Sequence, residues 1–300
     1  MKITNLLPIQ LDCLKRWEQI PTLEIFKKEL FPQVQPYFED AFGPAEEIYE
    51  HFKDPNLNWE KFRTQALKID EEKELERIKR NLAKVENQFN LKLQGEIVLF
   101  AMFHYIDGYA RFDKGTHRVF IGLSTENTND YYYDILETHE LTHVARESRP
   151  ETWQGWGLSL NVSNDEFVEN QPVLEHLFGE GYSCYISQIL NPGHPEWEYV
   201  YQTQESFELI VKHVNEVDRV MHEQIELEKI SPEKADYFKL YHSEQYNPPL
   251  PLFTQYVWAK AWVENLTKNE KPNDLLTRCS IDLRNHALNF RLTNFQKKSF

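Results

Sequence analysis

Residues 137–146 read ETHELTHVAR, with His139 and His143 four positions apart and Glu140 directly after the first, in a chain of 300 residues that holds 11 histidines. On an α-helix, positions i and i+4 lie on one face about 6 Å apart along the axis, so both imidazoles reach the same point in space. Glu140 is turned around the helix from that pair, better placed to take a proton from water held at that point than to ligate. The stretch therefore predicts a helix that presents a metal ion, with His139 and His143 as ligands and Glu140 as general base. From the His and Glu counts, a chance HExxH arises in such a chain with odds on the order of one in twenty. Two partly buried histidines making hydrogen bonds beside a helical carboxylate are the plain alternative.

Working outward, TENTNDYYYDILETHELTHVARESRP (125–150) reads as one helix. Thr128, Asn129 or Asp130 supplies its cap, Ile135, Leu136, His139 and His143 share a face, and Pro150 follows its end. Upstream, GEIVLFAMF (95–103) is a short apolar run opened by Gly95, and HRVFIGLS (117–124) is a second, rich in β-branched and aromatic residues. Both read as strands, and the glycines Gly108 and Gly115 between them suggest an antiparallel hairpin or ribbon.

The first ninety residues read as helical. Leu75, Ile78, Leu82, Val85 and Phe89 form one amphipathic stripe, with the charged run DEEKELERIKR as its solvated face. Downstream, Phe207, Ile210, Val211, Val214, Val217 and Met221 mark one long amphipathic helix. NPGHPEW (191–197) and YNPPLPLF (246–253) are breaks, and TQYVWAKAWVENL (254–266) is helical again. The expected class is α+β, predominantly helical, with a small antiparallel or mixed sheet packed on the HExxH helix. Soft boundaries near 92 and 192 give an N-terminal helical segment (1–92), a metal-binding core (93–192) and a C-terminal helical segment (193–300).

Composition narrows the function. A net charge of −15 repels phosphate backbones and anionic lipid, so neither nucleic acid nor a membrane is an expected partner. Pro8, Gln10 and Asp12 interrupt the apolar start, and no run is long enough to span a bilayer. Cys13, Cys184 and Cys279 are odd in number and far apart, which suits a reducing cytoplasm.

A catalytic zinc takes three protein ligands and leaves the fourth position for water. VARESRPETW after His143 lacks the Gly and His that would continue a metzincin motif, so the third ligand is expected on a later helix. Glu180 in FGEGYSCY is the favoured candidate, with Gly179 and Gly181 allowing close backbone approach or simply marking a helix entry with a turn. Glu175 and His176 are rivals that read as ordinary exposed positions. Cys184 reads as a small buried residue.

HExxH on one helix and Glu on the next resembles the gluzincin arrangement of zinc metallopeptidases. More closely, VFIGLS, ILETHELTHVAR and FGEGYSCYIS together resemble bacterial predicted Zn-dependent proteases of the YjaZ-like type, over roughly residues 115–190. The resemblance implies a zincin-like core that binds Zn²⁺ and a peptide or unfolded protein as substrate. It also implies an oxyanion-stabilising Tyr or His from the C-terminal region. Tyr256 is the choice here, with His213 and His242 as alternatives. Many gluzincins carry an Asp four residues after the ligand Glu to orient a ligand histidine. Here that position is Cys184, so the orienting partner must come from elsewhere. In peptidases of this type an edge strand pairs with extended substrate; HRVFIGLS would be that strand unless it is paired on both sides. The expected activity is a zinc metallopeptidase. A non-peptidase metal hydrolase and a catalytically silent binding protein are the alternatives.

Overall fold

The computed structural model describes residues 1–54, 57–101, 107–113, 116–123, 130–235 and 238–293. Compact packing divides the chain into two units that interleave in sequence. One comprises Met1–Ala83, Lys92–Arg111 and Thr116–Glu137; the other comprises Lys84–Leu91, Phe112–Gly115 and Thr138–Phe300.

The first unit opens with strand β1 (Lys2–Asn5), followed by helices α1 (Leu7–Arg16), α2 (Leu23–Glu29), α3 (Phe31–Phe42), α4 (Ala45–Glu50), α5 (Trp59–Ala66) and the long α6 (Glu71–Phe89). In α6, Ile78, Val85 and Phe89 of the expected stripe are buried. Strands β2 (Glu96–Phe100), β3 (Gly108–Asp113) and β4 (Thr116–Gly122) complete a small mixed sheet of order β1-β2-β4-β3. Phe26, Phe38, Phe52, Phe100 and Phe120 are fully buried in one apolar cluster, where Phe38 meets Phe100 edge-on at 5.2 Å. Such edge-to-face ring pairs add roughly 0.5–1.5 kcal/mol beyond their burial.

Two expectations about the sheet change. β2 and β4 run parallel, Glu96 opposite Arg118 through Phe100 opposite Gly122, so they are not arms of an antiparallel hairpin. The intervening segment forms β3 instead. β4 therefore lies between β2 and β3, paired on both sides, and the sheet's open edges are β1 and β3. That removes HRVFIGLS as a strand free to pair with substrate. β1, which the N-terminal sequence did not announce, pairs in parallel with β2, Lys2 opposite Glu96. Its backbone is secured by Lys2 N donating to Gly95 O and Leu6 N to Leu99 O, each at 2.9 Å.

α7 (Asp130–Glu147) carries the HExxH sequence, and the division between units falls within it as it does within α6. The caps proposed at Thr128 and Asn129 lie outside the described residues, and Asp130 is already the first helical residue. The second unit continues with α8 (Pro150–Gln154), α9 (Asn164–Asn170), α10 (Val173–Leu190), α11 (Gln204–Lys212), α12 (Val214–Ile230), α13 (Phe238–Tyr241), α14 (Thr254–Leu266) and α15 (Arg284–Asn289). The single helix expected across 207–221 is two. His213 leaves helical geometry at φ −113°, ψ 29° and separates α11 from α12. α14 coincides with the expected TQYVWAKAWVENL. Among the described residues no helix is long and apolar enough to cross a membrane.

α10 and α14 form the spine of this unit. Every residue of α10 from Val173 to Cys184 is buried, and α14 is buried from Thr254 to Val263. Their backbones approach closely at Gly181, where an added Cβ would lie 2.3 Å from the carbonyl oxygen of Ala259. At Gly179 the nearest atom to such a Cβ is His143 Cε1 at 3.7 Å, an ordinary contact. Neither glycine marks a helix entry, because α10 runs unbroken through both. Gly181→Ala should cost about 3 kcal/mol by forcing the helices apart, whereas Gly179→Ala should stay within about 1 kcal/mol of the parent. Urea unfolding of the two variants checks this contrast.

Candidate metal centre

α7 holds His139 and His143 on successive turns, with Glu140 directly after the first, and α10 holds Glu180. His139 Nε2 and His143 Nε2 lie 3.1 Å apart, and Glu180 Oε2 lies 3.2 Å from the first and 3.3 Å from the second. Three lone-pair donors from two helices thus converge on one point, and all three residues are buried. A tetrahedral zinc site with bonds of 2.0–2.1 Å spaces its ligand atoms about 3.3–3.4 Å apart, so the triangle and its two-nitrogen, one-oxygen donor set fit that ion. Among the described residues this is the one group of His, Cys, Asp and Glu side chains so arranged.

The electrostatics suit a cation. Burial pushes the Glu180 carboxyl up, but the His143 charge and hydrogen bonds from both imidazoles outweigh it and hold the group well below the usual carboxylate range. Burial keeps His139 below its ordinary value. For His143 burial acts in the same direction, yet the carboxylates of Glu180 and Glu147 raise it well above. These directions favour an ionised carboxylate and a neutral His139, the forms in which each offers a lone pair, and a divalent cation would displace any proton held by His143.

The outer contacts answer the question left by Cys184. His143 Nδ1 is 3.3 Å from Glu147 Oε1, one turn further along α7, so a carboxylate does orient this imidazole. Cys184 is buried with Sγ 3.7 Å from His139 Nδ1, and burial keeps its thiol well above the ordinary value. Cys184 is thus both a buried small residue and a contact of a candidate ligand.

Glu175 and His176, read as exposed, are buried. A surface reading failed because α10 has no exposed side in this stretch. Glu175 receives Arg146 Nε at 2.8 Å and Nη2 at 2.9 Å. The remaining Arg146 donors reach the carbonyls of Leu275, Leu276 and Arg278 at 3.0, 3.0 and 2.8 Å. All five guanidinium N–H groups are engaged, locking α7 to α10 beside the ligands. His176 Nε2 lies 4.0 Å from Glu180 Oε1, outside the converging triangle.

Tyr256 is buried with its ring 6.1 Å from that of His139, so the chosen tyrosine is brought to the site. Burial, then the Glu180 charge, hold its phenol well above its ordinary value, which keeps it a proton donor. His213 separates α11 from α12, and His242 is exposed with Nδ1 2.9 Å from Glu244 Oε1; neither joins the cluster. Two aromatic residues that the sequence did not single out also line it. The Tyr201 ring meets His139 edge-on at 5.3 Å, and Tyr241 Oη donates to Glu180 Oε1 at 3.3 Å. Tyr201 and Phe253, whose ring stacks on Tyr256 at 5.6 Å, have left-handed backbones at φ 55° and 62°. Bulky residues rarely adopt that conformation except where surrounding structure enforces it. Glu147 had a local signal, four residues after His143; Tyr201 and Tyr241 had none.

No protein-family model, curated protein or solved structure matches this chain.

Proposed function

We propose that this chain is a metal-dependent hydrolase, most simply a zinc metallopeptidase, with His139, His143 and Glu180 as ligands and Glu140 as general base. The observation that carries the reading is the buried triangle of two imidazole nitrogens and one carboxylate oxygen with edges of 3.1–3.3 Å. When bound, zinc supplies a Lewis acid for a substrate carbonyl and lowers the pKa of a water toward neutrality.

The chain's own groups then divide the remaining work. Glu140 follows His139 directly and is turned about 100° around α7 from it; it is buried and stands outside the ligand group. It takes a proton from the attacking water and delivers it to the leaving nitrogen. The Tyr256 phenol, held protonated, donates a hydrogen bond toward developing negative charge. Burial of the ligands excludes bulk water and strengthens both interactions. Zn²⁺ is the cofactor of this reading, and a peptide or unfolded protein segment is its substrate.

Metal analysis of the purified protein tests the centre. About one zinc per chain is expected, falling to near none in His139→Ala and in Glu180→Ala. Zinc content unchanged in both variants would sink the ligand assignment. Cleavage of a mixed peptide library by the zinc-loaded protein tests the substrate class, and turnover of small esters with no peptide cleaved would point to a non-peptidase hydrolase.

A further inference from the structure

The two carboxylate oxygens of Glu180 have different surroundings. Oε2 lies 3.2 Å from His139 Nε2 and 3.3 Å from His143 Nε2. Oε1 accepts from Tyr241 Oη at 3.3 Å, with His176 Nε2 further off at 4.0 Å. We propose that Tyr241 is a positioning residue which, by donating to Oε1, restricts Glu180 to ligating through Oε2 alone and so preserves an open coordination position. This inference rests on the metal-centre reading above.

The physical argument concerns how many positions a carboxylate fills. A carboxylate binds a metal through one oxygen or through both. A catalytic zinc with three protein ligands needs its fourth position for water and substrate, and a second Glu180 oxygen would compete for it. A donor on Oε1 draws electron density to that side and fixes the carboxylate plane, as outer contacts of metal ligands generally do.

Tyr241 is well held for this role. It closes the short helix α13, with its ring 5.2 Å from that of His176, 6.2 Å from Tyr256 and edge-on to Phe253 at 5.8 Å. The preceding residue is fastened by Tyr246 Oη donating to Leu240 O at 3.2 Å. Tyr241 thus stands between Tyr256 and Glu180, with its single hydroxyl proton committed to Oε1. Tyr241 thereby links the candidate oxyanion donor to a candidate ligand.

The test uses cobalt(II) in place of zinc, because four-coordinate cobalt absorbs visible light severalfold more strongly than cobalt with five or six ligands. The wild-type chain should show the intense band. Tyr241→Phe keeps every ring contact and removes only the hydroxyl; its band should weaken severalfold, and its zinc affinity should fall about 10- to 100-fold. Phe253→Leu, which changes packing around the same ring and leaves the hydroxyl, should keep the band. An unaltered spectrum and zinc affinity in Tyr241→Phe would overturn the proposal while leaving the metal centre standing, as would equal weakening in Phe253→Leu. A wild-type chain that takes up neither cobalt nor zinc would remove the metal centre itself.

Discussion

Replacing Glu140 with Gln should leave about one zinc per chain in place while hydrolysis falls about 10³-fold. The amide has nearly the shape of the carboxylate but cannot accept the water's proton at neutral pH. Because Glu140 stands outside the triangle of His139, His143 and Glu180, the substitution removes no ligand. Measuring kcat/KM and bound zinc on the same preparation separates loss of chemistry from loss of metal. Activity unchanged in Glu140→Gln would remove this residue as the base. Joint loss of zinc and activity would instead make it part of the ligand set.

The second large effect concerns stability. Arg146→Met should destabilise the protein by about 4 kcal/mol, because it strands the buried Glu175 carboxylate and leaves three backbone carbonyls without their donor. For a chain of 300 residues the melting temperature should fall by about 6 °C. The double variant Arg146→Met/Glu175→Leu should recover part of that loss, since the stranded charge is gone and only packing and carbonyl bonds remain to be made good. Thermal and urea unfolding of the two single variants and the double complete the cycle. A double variant no more stable than Arg146→Met would mean that the carbonyl contacts, not the ion pair, dominate. Arg146→Lys should not rescue the protein, because an ammonium has three donors and cannot span five acceptors.

What the sequence disclosed and what it hid follow the range of the interactions involved. The spacing of His139 and His143 is a local signal that survives into three dimensions because helix geometry alone brings the two rings together. The α14 limits were likewise local, set by the proline-rich break before them. Glu180 is found by asking which downstream helix offers a carboxylate, and its Oε2 lies 3.2 and 3.3 Å from the two imidazoles. By contrast, Arg146 meets carbonyls 129–132 residues away, and Tyr241 meets Glu180 across 61 positions. No period or motif announces such pairs. The parallel pairing of β1 with β2 spans about as much chain as Lys2 to Glu96, and four residues as polar as KITN carry no strand signature of their own. His213 was absorbed into one long helix because its neighbours keep an apolar spacing on both sides of it. Glu175 and His176 were misread for a related reason, since judging exposure from residue type presumes a wet side that α10 lacks.

That enclosure of α10 limits how the protein can vary. A helix at a surface keeps a strip of positions where one polar residue can replace another at little cost. From Val173 to Cys184 no such strip exists, since each side chain presses on a neighbour and Gly181 leaves no space for even a methyl group. Apart from Gly179, replacement there demands a matching change across the contact. The other positions around Glu180 should therefore change only in concert with their neighbours, and the carboxylate is held in place by crowding as much as by chemistry.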